Sequence, residues 1–142
     1  MYDLNMFVPS VEEARALMVR MGFTELRTPE AVDTAVAEKG TSLVFVNSMC
    51  GCAGGIARPA AMLALRGGKQ PDHIYTVFAG QDKEATARAR EYFQPVPPSS
   101  PSVALLRDGK LVFMLERNQI EGRDPQTVAQ ALTRAIGEHC SP

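Results

Sequence analysis

The chain has 142 residues, 45% of them hydrophobic, and its 15 basic and 16 acidic side chains leave a formal charge of −1. That length suits one globular domain, 1–142, with a real core. With no basic block and no interleaving of aromatic with basic residues, neither nucleic acid nor an anionic membrane is expected as a partner. The opening residues 1–8 place Asp3 where a secretory signal would carry bases, and no apolar run approaches a membrane span, so a cytoplasmic location is expected. Three cysteines, two of them almost adjacent, do not make a disulfide framework; in a reducing compartment they point to redox chemistry or metal.

Ser10 followed by Glu13 is a capping-box pattern. Val11, Ala14, Leu17, Met18 and Met21 then recur at helical spacing up to Gly22, with the methionines read as core. Thr28 and Pro29 start a second helix, with Val32, Ala35 and Val36 on one face and Gly40 as its stop. These first 40 residues read as a helical extension packed on the rest of the domain. Leu43-Val44-Phe45-Val46 is short, β-branched and aromatic, a strand over 42–47 buried on both faces.

This strand runs into Cys50-Gly51-Cys52. Residues Ile56 to Arg66 are helical in composition, with Pro59 either opening the regular part or kinking it and Gly67-Gly68 ending it. The next strand is 73–78. Asp82 is placed to cap a helix that turns Ala85, Ala89, Tyr92 and Phe93 inward and pairs Glu84 with Arg88 outside. Gln94 to Pro101 holds four of the ten prolines and reads as a constrained loop. Strands 102–107 and 110–116 flank Asp108-Gly109, the pair a tight hairpin requires. Asp124, Pro125, Val128, Ala131, Leu132, Ala135 and Ile136 mark a final helix.

After the N-terminal helices the order is β-α-β-α-β-β-α, the order of a thioredoxin fold: an α/β domain with a central four-stranded mixed sheet flanked by helices. The expected strand order is 73–78, 42–47, 102–107, 110–116, with the last antiparallel to its neighbour. Thioredoxin-like proteins place a cis-proline directly before the third of these strands, beside the cysteines, and Ser100-Pro101-Ser102 stands there.

The turn carries its own chemistry. A thiol attacks a disulfide as thiolate, and a helix N-terminus lowers a thiol pKa into the range of about 3.5 to 7.5. Cys50, first out of the strand, is the better placed attacker, and Cys52 is expected to be more protected. Gly51 keeps the approach open to a bulky adduct. A bridge across one residue restrains the disulfide dihedral, which favours a mixed disulfide with a small thiol over a stable internal bond. The strand before the cysteines carries no acid, so activation falls to backbone N–H groups and the helix end. Arg58 is either an added positive charge or a surface side chain, and Glu116, Glu121 and Arg123 read as a solvated strand end. Other readings of the cysteines are zinc held by Cys50, Cys52, His139 and Cys140, an iron–sulfur cluster bridging two chains, and a binding protein with inert thiols. Cys140 alone reads as an incidental thiol at a frayed terminus, and His73 and His139 have no partners at catalytic spacing.

Residues 46–55 (VNSMCGCAGG), 57–61 (ARPAA), 77–86 (VFAGQDKEAT), 98–102 (PSSPS) and 120–123 (IEGR), in this order, resemble the bacilliredoxin family over nearly the whole chain. Met49 and the paired Gly54 and Gly55 read as variation within the motif. The resemblance implies a thioredoxin-like enzyme that removes bacillithiol from proteins to which it has become disulfide-linked. Cys50 would be the attacking thiol, Cys52 its companion, and Gly51, Ser100 and Pro101 the substrate-binding groove. It further implies S-thiolated client proteins as partners and bacillithiol as co-substrate, with no bound cofactor or metal. The alternative within the same chemistry is a general protein disulfide reductase or isomerase using the same cysteines.

Overall fold

The computed structural model describes residues 10–66 and 68–140. Residues 1–8, read for a missing signal, and Gly67, read as part of a helix stop, lie outside them. The elements are α1 (Val11–Arg20), β1 (Thr24–Glu25), α2 (Pro29–Val36), β2 (Thr41–Asn47), a π-helical turn (Ala53–Ala57), α3 (Arg58–Ala64), β3 (His73–Phe78), α4 (Lys83–Glu91), β4 (Ser102–Arg107), β5 (Lys110–Leu115), a 3-10 turn (Arg117–Gln119) and α5 (Pro125–His139).

Helix starts fall where the capping residues put them. Ser10, Thr28 and Asp124 each accept a bond from the backbone N–H three residues on, which satisfies a donor the helix itself leaves open. Asp82 precedes α4 but makes no such bond. Its carboxylate pairs instead with Arg15 at 2.8 Å, and Arg15 also reaches Glu25 at 2.6 Å and lies over the Phe78 ring. A part-buried ion pair to a guanidinium competes successfully with a neutral cap bond. Arg88 pairs with Asp33 and Glu91, not with Glu84, because α2 packs beside α4 and supplies a carboxylate from outside the helix.

The sheet has the order β1-β3-β2-β4-β5. The four expected strands stand in the expected order, and a fifth, the two-residue β1, joins the edge in parallel with β3. The N-terminal 40 residues thus hold a strand as well as two helices. β2 is parallel to β3 and antiparallel to β4, with Val46 opposite Ser102, and β4 is antiparallel to β5. Asp108 (φ 50°) and Gly109 (φ 81°) are both left-handed, as a two-residue hairpin turn that follows strand twist demands.

Every residue of β2 is buried. One face turns Leu43 and Phe45 toward α1, α3 and α5, including Met18 of α1; the other turns Val44 and Val46 toward α2 and α4. Each such side chain contributes about 1.5–3 kcal/mol through burial, which makes the middle strand a fixed base for the turn at its end. Cys140, read as a frayed terminal thiol, is instead buried at the end of α5 and packed in the first of these cores.

Candidate active site

β2 delivers the chain to Ser48, Met49 and Cys50 at the carboxyl end of the sheet's middle strand. Helix begins at Gly51, widens into the π-helical turn and continues as α3. Backbone N–H groups of Cys52 and Ala53 reach the Cys50 sulfur, and the Ser48 hydroxyl lies 3.0 Å from it. Burial pushes the Cys50 thiol up, but the Ser48 hydroxyl, these two N–H groups and the charge of Arg117 outweigh it, and the net shift is downward. The expected helix-end activation is therefore present. Cys50 and Cys52 are both half-buried free thiols. What separates them is the set of donors gathered on Cys50.

Two arginines flank the turn. Arg58 is only 4% exposed, so it is not a surface side chain. Its Nη1 donates to Asn47 Oδ1 at 2.7 Å and to the Ser48 carbonyl at 2.9 Å, while the Ser48 N–H donates to the same Oδ1 at 3.0 Å. Gly54 makes room for it, since a Cβ there would stand 3.0 Å from Arg58 Nη2. One residue inserted in a π turn rotates the helix beyond it by about 100°, so the 3.6-residue spacing cannot be carried from Cys52 to Arg58. The available sequence signal was the glycine one turn before the arginine.

Arg117, missed in the sequence, comes from the 3-10 turn after β5. Its Nη2 lies 3.9 Å from Cys52 Sγ, Nη1 donates to the Ser100 carbonyl at 3.1 Å, and Nε pairs with Glu121 at 3.2 Å. Glu121 is thus engaged, and Glu116, through its N–H to Gln119 Oε1, opens the turn that holds Arg117; Arg123 remains an exposed side chain. No local motif marks Arg117, because it is 65 positions from the cysteine it touches.

The Ser100–Pro101 peptide is cis, as expected, and a second cis bond, Gln94–Pro95, was not foreseen. Pro101 is buried directly before β4, whose pairing of Ser102 with Val46 sets the Ser100–Pro101 peptide against the end of β2, and Arg117 ties this peptide to the cysteine turn. The structure therefore brings Cys50, Gly51, Cys52, Ser100 and Pro101 into one region. It does not assemble the zinc set: among the described residues no three His, Cys, Asp or Glu side chains converge where an ion could sit. His73 stacks on Tyr75 and faces the Lys39 carbonyl, away from any thiol chemistry.

Among solved structures, a thioredoxin from Fasciola hepatica superposes with a TM-score of 0.56 at 18% identity, covering 82% of this chain and 99% of that one. A thioredoxin from Malassezia sympodialis gives 0.57 at 15% identity, covering 84% and 91%. These show the fold. With the paired thiols at the carboxyl end of its middle strand, the chain is a thiol–disulfide oxidoreductase of thioredoxin fold. A family model described as "Disulphide isomerase" matches residues 7–140. A bacilliredoxin of Geobacillus kaustophilus is 63% identical over 139 residues, 98% of this chain and 96% of that one. One of Symbiobacterium thermophilum is 61% identical over 135 residues, 94% and 96%. The chain belongs to the bacilliredoxin family.

Proposed function

We propose that Cys50 is the attacking thiolate in the removal of bacillithiol from mixed disulfides on client proteins, with Cys52 as its companion. The observation that carries this reading is the convergence on one half-exposed sulfur of a hydroxyl and two backbone N–H groups, which with the more distant charge of Arg117 hold Cys50 below the ordinary thiol range. The Cys50 thiolate attacks the small-thiol sulfur of the mixed disulfide. The old S–S bond breaks, the client cysteine leaves reduced and takes a proton from solvent, and the small thiol is left disulfide-linked to Cys50. A second molecule of bacillithiol, the co-substrate, displaces that adduct as the symmetrical disulfide and restores the Cys50 thiol. No bound metal or cofactor takes part.

Gly51 leaves the approach to the turn open: among the described residues nothing beyond its chain neighbours stands within 4 Å of where its Cβ would be. Ser100 and Pro101 form the opposite wall and receive the substrate main chain. The whole of 1–142 works as one domain, supported by the contribution of the N-terminal helices to both cores. Its setting is the cytoplasm; among the described residues no helix is long and apolar enough to cross a membrane.

The description of the matching family favours a second reading, a general disulfide reductase or isomerase using the same cysteines. Turnover of a bacillithiolated protein compared with turnover of an ordinary protein disulfide separates the two. Strong preference for the former is expected, and equal or reversed rates would select the latter.

A further inference from the structure

The Arg58 guanidinium is sealed into the protein, and among the described residues no carboxylate pairs with it. Among the described residues the ion pairs use Glu25, Asp33, Asp82, Glu91 and Glu121, none of them with Arg58. The acceptors it does reach, the Asn47 amide oxygen and the Ser48 carbonyl, are neutral. An isolated buried ion is costly unless an opposite charge lies near, and arginine does not escape by losing its proton. The Cys50 sulfur is joined to Arg58 through Ser48, whose carbonyl Arg58 grips at 2.9 Å while its hydroxyl stands 3.0 Å from the sulfur.

We propose that Arg58 is a positioning residue whose buried charge is balanced by the Cys50 thiolate, so that ionisation of Cys50 is built into the reduced fold. Consistent with this, burial pushes the Arg58 pKa down and the charge on Cys50 acts against that shift. The other groups facing Cys50 are Cys52 across Gly51 and Arg117 from the 3-10 turn, whose own charge is shared with Glu121. The two cations differ in exposure. Arg117 is 42% exposed at its side chain, so salt screens it, whereas a buried charge is screened much less. The inference rests on Cys50 being the attacking thiol, but it concerns the free protein. Failure of turnover on a bacillithiolated client would leave the titration below unchanged.

The test tracks the ultraviolet absorbance of the thiolate against pH in a Cys52→Ser, Cys140→Ala background, where Cys50 is the remaining thiol. Arg58→Met is expected to raise the midpoint by roughly one unit, ten-fold less thiolate well below it, and Arg58→Lys by less, because the charge is kept. Raising salt from about 0.02 M to about 1 M should erase the effect of Arg117→Gln and leave that of Arg58→Met. A folded Arg58→Met variant that titrates at the unaltered midpoint overturns the proposal and leaves Arg58 as a clamp on Asn47 and Ser48. Should Arg58→Met fail to fold, the Nε–H resonance of Arg58 in the otherwise unaltered protein decides. It is expected to shift with the Cys50 midpoint and to stop doing so in Cys50→Ser; a resonance that does not track Cys50 overturns the proposal equally.

Discussion

At the N-terminal end of β2, Gly40 and Asp108 exchange two hydrogen bonds of 2.8 Å, and Thr41 exchanges bonds of 2.8 and 3.0 Å with Asp72, so each carboxylate there meets backbone donors. At the C-terminal end, among the described residues, the Asn47 Nδ2 donor is buried without a partner, Arg58 is buried without a carboxylate, and a hydroxyl rests on a thiol. Both ends belong to one strand with one pattern of burial. The first is satisfied as stable structure demands. The second keeps charge and hydrogen-bonding capacity in reserve, as a site that must hold an anion would. Stability and reactivity are therefore divided between the ends of β2, and substitutions at one end should leave the property of the other largely untouched.

The largest effect expected is at the thiol end. Cys50→Ser should abolish release of the small thiol from a bacillithiolated protein, since a neutral hydroxyl with no general base beside it cannot replace a thiolate. Residual turnover near the unaltered rate would move the chemistry elsewhere. At the other end, Gly109→Ala puts a Cβ 3.1 Å from the Val36 carbonyl on a backbone with φ 81°. It should cost about 1–2 kcal/mol in denaturant unfolding and leave the Cys50 titration in place. A shifted midpoint there would show that the two ends are coupled.

A smaller pair of effects sharpens the division. Gly54→Ala crowds Arg58 and should slow alkylation of Cys50 near neutral pH by roughly three-fold, about half a pH unit. Gly55→Ala meets nothing within 4 Å, so alkylation should be unchanged and stability should rise by up to about 1 kcal/mol. Equal alkylation rates in the two variants would contradict a role for the space beneath Gly54.

The pH dependence of folding carries the same sign. The folded midpoint of Cys50 is depressed below the unfolded value of about 8.5, so between the two the folded state binds fewer protons. Stability of the reduced protein should rise with pH through that window and be lost as pH falls through the folded midpoint. Melting curves of Cys50→Ser should lack this component.

Much of the fold was legible because its causes are local. Ser10, Thr28 and Asp124 cap the next turn by a bond three residues long, Asp108-Gly109 encodes its own backbone, and Ser100-Pro101 stands at the head of β4 whatever the rest does. β1 was not legible, since two residues show no period, and it is made by pairing with β3 some 50 positions later. Arg117 and the burial of Arg58 were hidden for a related reason: one reaches the site only through the packed sheet, the other only through a π turn that breaks helical spacing.

The most direct measurement of Cys50 as the attacking thiol is intact mass after exposing Cys50→Ser and Cys52→Ser, each with Cys140→Ala, to a bacillithiolated protein. The Cys140 change removes a thiol that is 4% exposed and packed in the core, and alanine suits that site better than serine. The Cys52 variant is expected to gain one small-thiol adduct on Cys50 while the Cys50 variant gains none. An adduct on Cys52 of the Cys50 variant, with none on Cys50 of the other, would reverse the roles of the two thiols, and no adduct on either would mean that the thiols are inert.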